Sequence, residues 1–143
     1  MLFARRKLES FDVAVLHLSG MRFLCDCEIT RAGETAVLIR YDLRFDSGQK
    51  QRIPRVRAER PFAEVLDLFN RCGVLGWDGF DGPHPRGVLD GIMFRFTLTA
   101  DGKQIVAASG SQNFPRHFHD LRDYIETTLR ESGQDLAEGK ETL

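Results

Sequence analysis

The sequence predicts an α+β fold: an antiparallel sheet of about six strands with two helices packed on one face, in the order four strands, helix, two strands, helix. Three observations predict it. Apolar and polar residues alternate through much of residues 11–59, the period-2 signature of half-buried strands. Residues 61–72 and the segment from Pro115 onward change to helical spacing. Between them, Asp101-Gly102 joins two alternating runs, and this dipeptide suits a two-residue hairpin because a type I′ turn needs positive φ at both central positions.

Residues 11–18 are apolar on both faces, with Phe11, Val13, Val15 and His17 on one and Ala14, Leu16 and Leu18 on the other; Ser19-Gly20 then turns the chain. Residues 22–30 place Phe23, Cys25, Cys27 and Ile29 on one face and Arg22, Asp26 and Glu28 on the other. After the turn Arg31-Ala32-Gly33-Glu34, the run Val37, Ile39, Tyr41, Leu43, Phe45 alternates against Arg40, Asp42 and Arg44. Asp46-Ser47-Gly48-Gln49 is a second hairpin signal. Residues 50–59 form a ragged strand in which Pro54 lacks a ladder donor, which assigns it to a sheet edge.

Pro61 suits the first helical position, where its missing N–H has no intrahelical partner, and Phe62, Val65, Leu66, Phe69 and Cys72 recur at helical spacing until Gly73. Residues 91–100 place Ile92, Phe94, Phe96 and Leu98 opposite Met93, Arg95, Thr97 and Thr99. A two-residue turn pairs Ala100 with Lys103, which sets Leu98 across from Ile105 and Phe96 across from Ala107. The second helix opens at Pro115 and buries Phe118, Leu121, Ile125 and Thr128 or Leu129. Residues 1–131 are thus expected as one domain, and 132–143, polar and aperiodic, as a disordered tail.

With 42% hydrophobic and 29% charged residues in 143, the chain can build one core without staples. A net charge of −1 gives no steering toward nucleic acid, which is not an expected partner. Three cysteines exclude a fully paired disulfide framework and fit a reducing compartment. The basic start Arg5-Arg6-Lys7 leads into no apolar run with a cleavage site, and no window reaches the length of a membrane span. A cytoplasmic location without membrane contact is therefore expected.

Residues 76–91 crowd five glycines, two prolines and three aspartates around the only tryptophan. Loops of this length are functional or disordered more often than plain connectors. Trp77, Phe80, Val88 and Leu89 argue for an ordered loop held by apolar anchors. It supplies the candidate binding residues Trp77, Asp78, Phe80, Asp81, His84 and Asp90, joined by Arg95, Asn113 and His117 from the following elements. An alternative gathers Asp78, Asp81, His84 and Asp90 with His117 and His119 around a metal as a hydrolase-like site, although the spacing matches no ligand signature. The competing structural role is that the aromatic residues plug the core while Asp and Gly satisfy turn geometry.

Other features have plainer readings. The start of the second helix, with Arg116 and His117, could receive an anion, but Ser111 or Asn113 as a cap accounts for it. Cys25 and Cys27 on one strand face fit core packing better than redox chemistry. Arg40, Arg44, Arg52, Arg55, Arg57 and Arg60 could form a basic patch beside the edge strand. No nucleophile elbow, phosphate loop or zinc pair occurs, so neither catalytic residues nor a cofactor nor a metal are assigned.

Trp77-x-Gly79-Phe80, Val88-Leu89-Asp90-Gly91, Phe94-x-Phe96, Asp101-Gly102-Lys103, Ala108-Ser109-Gly110-Ser111 and Phe114-Pro115 form a distinctive series. It resembles a group of small bacterial proteins of unknown function, some of them lipoprotein domains, that carry a W-x-G-F…VLDG…ASGS…FP pattern. The resemblance covers residues 77–124 and implies no particular activity. This chain departs from the lipoprotein members in lacking an export signal with a lipidation cysteine. The expected function is a non-enzymatic binding or protein-interaction domain acting through residues 76–91, with a protein partner or a small ligand. The alternative is the metal-dependent hydrolase. A homodimer joined through residues 50–57 is a further expectation, against which Pro54 argues.

Overall fold

Alternation and hairpin chemistry bring most of the chain into one sheet. A computed structural model describes residues 6–136; residues 1–5, with Arg5 of the basic start, and the tail beyond Leu136 lie outside the described residues. The elements are β1 (Val13–Ser19), β2 (Leu24–Ala32), β3 (Thr35–Asp46), β4 (Gln49–Pro61), α1 (Phe62–Cys72), a 3-10 turn (Val74–Trp77), β5 (Asp81–Gly82), β6 (Met93–Ala100), β7 (Lys103–Ser111), α2 (Phe118–Ser132) and β8 (Gln134–Asp135). Across the sheet the strands run β5-β7-β6-β1-β2-β3-β4-β8. All neighbours are antiparallel except β5 and β7.

The fold class is as expected, but the sheet has eight strands and is mixed, not about six and antiparallel. The extra strands are two residues long each, too short to leave an alternation in the sequence. β8 continues directly from α2 and pairs Val56 with Asp135 and Arg57 with Gln134, so the first residues of the expected tail are part of the sheet. No helix among the described residues is long and apolar enough to cross a membrane.

Both helices lie on the face presented by Ala14, Leu16 and Leu18 of β1 and Phe94, Phe96 and Leu98 of β6, all buried. α1 buries Phe62, Val65, Leu68, Phe69 and Cys72; α2 buries Phe118, Leu121, Ile125, Thr128 and Leu129. The phenylalanine-rich composition becomes a continuous aromatic seam. Phe11 meets Phe62 and Phe69 at 4.9 and 4.8 Å, Phe69 meets Phe96 edge-on, and Phe94 meets Phe118 at 4.7 Å.

Several sequence expectations are corrected in detail. Pro61 caps α1 from outside, and Phe62 is its first residue. Gly73 ends that helix at φ 68°, as its lack of a side chain allows. α2 starts at Phe118, not Pro115, because His117 takes φ 68° and closes a separate turn in which the Phe118 N–H donates to the Pro115 carbonyl. Asp101 and Gly102 both have positive φ, as the hairpin requires. However, a register shift beyond Thr99 sets Leu98 across from Val106 and Phe96 across from Ala108, not Ile105 and Ala107. That bulge turns Val106 and Ala108, both buried, onto the core face.

In β3, the set Val37, Ile39, Tyr41, Leu43 and Phe45 points away from the helices. The buried Cys27 and Ile29 pair with Arg40 and Leu38, which puts the even-numbered residues on the helix side. Pro54 lies at an irregularity opposite Tyr41, on a strand whose outer edge is covered only by β8.

Candidate functional site

The helices leave one sheet face uncovered, and the registers line up a polar row across it. Asp81 pairs with Ser109, Ser109 with Arg95, Arg95 with His17, His17 with Asp26, and Asp26 with Tyr41. Residues paired in adjacent strands share a face, so these side chains are neighbours.

One half of the row satisfies itself. His17 Nδ1 is 2.7 Å from Asp26 Oδ1, and Arg52 Nε is 3.2 Å from Asp26 Oδ2. Arg52 also reaches Glu28 at 3.3 Å and lies over the Tyr41 ring at 4.0 Å. Asp26, itself buried, therefore has a donor at each carboxylate oxygen.

The other half is open. Arg95 is exposed on β6, and among the described residues it has no carboxylate partner. It borders a pocket of about 470 Å³ whose polar lining includes His17, Asp81, His84, Ser109 and Ser111.

The loop at residues 76–91 forms the wall of this pocket. Trp77 is buried, 4% exposed; its indole N–H donates to the Arg116 carbonyl at 3.1 Å and its ring packs on Phe96 and Phe118. The Asp78 carboxylate accepts from the Ala107 N–H at 2.9 Å, and the Gly79 N–H donates to the Ala107 carbonyl at 2.9 Å. The Ser109 N–H donates to the Phe80 carbonyl, while the half-buried Phe80 ring sits against Phe94. These contacts dock Asp81 and Gly82 on β7 as β5. Gly82 and Gly110 are required there, because a Cβ at either would collide with the Asn113 carbonyl. Asn113 in turn donates from Nδ2 to the Pro83 carbonyl at 3.2 Å.

His84 closes the loop. Its Nε2 bonds the Val88 carbonyl, and its Nδ1 lies 2.8 Å from Ser111 Oγ. A carbonyl only accepts, so Nε2 carries the proton and in the neutral ring Nδ1 accepts from the Ser111 hydroxyl.

The structure thus brings Asp81, His84 and Arg95 together, with Asn113 bracing the loop behind them. Trp77 holds the loop from the inside, while Asp78, exposed, ties it to β7 through the Ala107 N–H. Val88 and Leu89 are not anchors: they are 38% and 96% exposed, and Asp90 beside them is exposed too. His117 stands apart, paired with Asp120 at 2.9 Å at the start of α2.

Among the described residues no three His, Cys, Asp or Glu side chains converge on a metal position. The six arginines do not form a basic patch either. Arg55 is bound to Asp42, Arg57 to Glu59 and Arg60 to Glu64, as Arg52 is to Asp26, and Arg40 and Arg60 belong to the helix face. Sequence reasoning missed His17, Ser109 and Ser111. The available signal was His17 itself, a lone titratable residue in an otherwise apolar strand. No protein-family model, curated protein or solved structure matches the chain, so the reading of the site rests on its geometry.

Proposed function

We propose that the protein is a cytoplasmic, non-enzymatic binding domain whose contact surface is the pocket between residues 81–84 and the uncovered sheet face. Its ligand is a small molecule with a carboxylate or phosphate at one end and an apolar body. The observation that carries this reading is Arg95, a guanidinium without a carboxylate partner beside a pocket of about 470 Å³. A planar donor fork of this kind suits an oxyanion. Ser109 and Ser111 border the same space, and Met93, exposed, with Phe94 gives it an apolar border. Both ring nitrogens of His84 are occupied in holding the loop, which supports binding over proton transfer.

Thermal unfolding with hexanoate, hexyl phosphate and a neutral control, hexanol, tests the reading. One of the two anions should raise Tm, since a ligand at 100 times its Kd stabilises the folded state by about 2.7 kcal/mol. Arg95→Ala, a surface change expected to alter intrinsic stability by no more than about 0.5 kcal/mol, should abolish the rise. An equal rise in the variant, or one produced as well by hexanol, contradicts the proposal.

A further inference from the structure

The pocket on the uncovered face holds a second charge that an anion alone would leave unmatched. Asp81 on β5 is exposed and borders the pocket together with Arg95 on β6. The registers place both beside Ser109 of β7, Asp81 on one side and Arg95 on the other. Neighbouring strands lie about 4.8 Å apart, so the two Cα atoms are separated by about 10 Å with the serine between them. No ion pair joins Asp81 to Arg95, and among the described residues neither side chain has another charged or hydrogen-bonded partner.

The other charged and titratable groups nearby are already engaged. The Asp26 carboxylate is held by His17 and Arg52, and His84 is fixed between Ser111 and the Val88 carbonyl. The pocket thus presents one free guanidinium and one free carboxylate, which border the same space without neutralising each other. Such a surface is complementary to a molecule that carries both signs.

The spacing of polar and apolar lining narrows that molecule further. Ser109 lies between the two charges, so the ligand's own charges belong side by side above it; an apolar chain laid across the serine would bury its polar groups unmatched. The apolar part has a place beside them. Met93 is two residues from Arg95 on β6, shares its face and is exposed, and Pro83 borders the pocket just after β5.

We propose that the ligand is an α-amino acid with an apolar side chain, whose carboxylate is taken by Arg95 and whose ammonium is taken by Asp81, with Met93 and Pro83 flanking the side chain. This rests on the reading of the pocket as a binding site and narrows its ligand to a zwitterion. The guanidinium N–H groups donate to the ligand carboxylate, and the ligand ammonium donates to the Asp81 carboxylate.

Isothermal titration calorimetry of the full-length chain with L-norleucine, hexanoate and pentylamine tests the inference. Norleucine is hexanoate with an ammonium beside its carboxylate, and pentylamine is norleucine without the carboxylate, so each comparison removes one charge. Norleucine should bind at least about 10-fold more tightly than either, the factor that one charge-assisted contact gives. Asp81→Asn should bring the ratio of norleucine to hexanoate affinity toward one, and Arg95→Ala should abolish binding of both. The comparison of the three compounds on the native chain stands even if a variant misfolds. Hexanoate binding as tightly as norleucine, or hexyl phosphate binding where norleucine does not, overturns the inference and leaves the anion reading in place. Pentylamine binding as tightly as norleucine, or no binding of any of the anions, overturns both.

Discussion

At the scale of single residues, Trp77 shows how a loop rich in glycine becomes a fixed wall. Its ring fills the space between Phe96 and Phe118 and its N–H reaches the chain before α2. Trp77→Ala should cost about 3–5 kcal/mol, the range for removing a large buried aromatic. Trp77→Phe keeps much of the packing but leaves the Arg116 carbonyl unmatched, and should cost about 1–3 kcal/mol. Urea unfolding followed by circular dichroism measures both, and a cost below 1 kcal/mol for the alanine variant would contradict the anchoring role. The sequence made this anchor legible because a tryptophan among glycines has few other uses. It could not separate Trp77 from Val88 and Leu89, since apolarity alone does not tell which side chain finds a cavity and which stays in water. Likewise, His17 lies in the pocket only because β1 is a central strand placed between β2 and β6, and that order is a tertiary fact.

At the scale of elements, α1 and α2 are joined by a polar clasp remote from the pocket on the uncovered face. Arg60 grips Glu64 through two bonds of 2.9 and 2.6 Å, and the Tyr124 hydroxyl donates to the same carboxylate at 2.6 Å. The hydrogen bonds from Arg60 and then Tyr124 hold the Glu64 carboxyl down at about 2. Burial first, and then the bond to Glu64, push Tyr124 up to about 12. A carboxyl with a depressed folded pKa contributes stability above its unfolded value, and that contribution fades as pH falls from about 4.5 toward 2. Glu64→Gln should therefore be less stable than the native chain at pH 7, by no more than about 1 kcal/mol because the pair is partly solvated. The gap should narrow as pH falls through that window; a gap that widens would contradict the account. At this scale the six long strands and both helical stripes were readable from spacing. The facing of β3 was not, because alternation names two faces without saying which one is covered. The bulge opposite Thr99 was not either, because it follows from how Val106 and Ala108 fit under the helices.

At the scale of the whole molecule, charge is balanced locally: Arg52, Arg55, Arg57 and Arg60 of β4 meet carboxylates on β2, β3, β4 and α1, in keeping with a net charge of −1. β8 covers the outer edge of β4 only at Val56 and Arg57, and Pro54 with the irregularity beside it interrupts the stretch left uncovered, which works against ladder pairing with another copy. Sedimentation velocity should accordingly find a 16.3 kDa monomer, and a dimer that dissociates on mutation of Arg57 would show the β4 edge to be an interface after all. Arg95, by contrast, is a cation that the balance leaves out, and it lies where the loop, β6 and β7 meet.

The most direct measurement is therefore a ¹⁵N-resolved NMR titration of the native chain and of Arg95→Ala with whichever anion raises Tm. The binding account predicts saturable shifts centred on the amides of Asp81, His84, Arg95 and Ser109, absent in the variant. Shifts centred on α2 or scattered over the surface, or a pattern unchanged by Arg95→Ala, would contradict it.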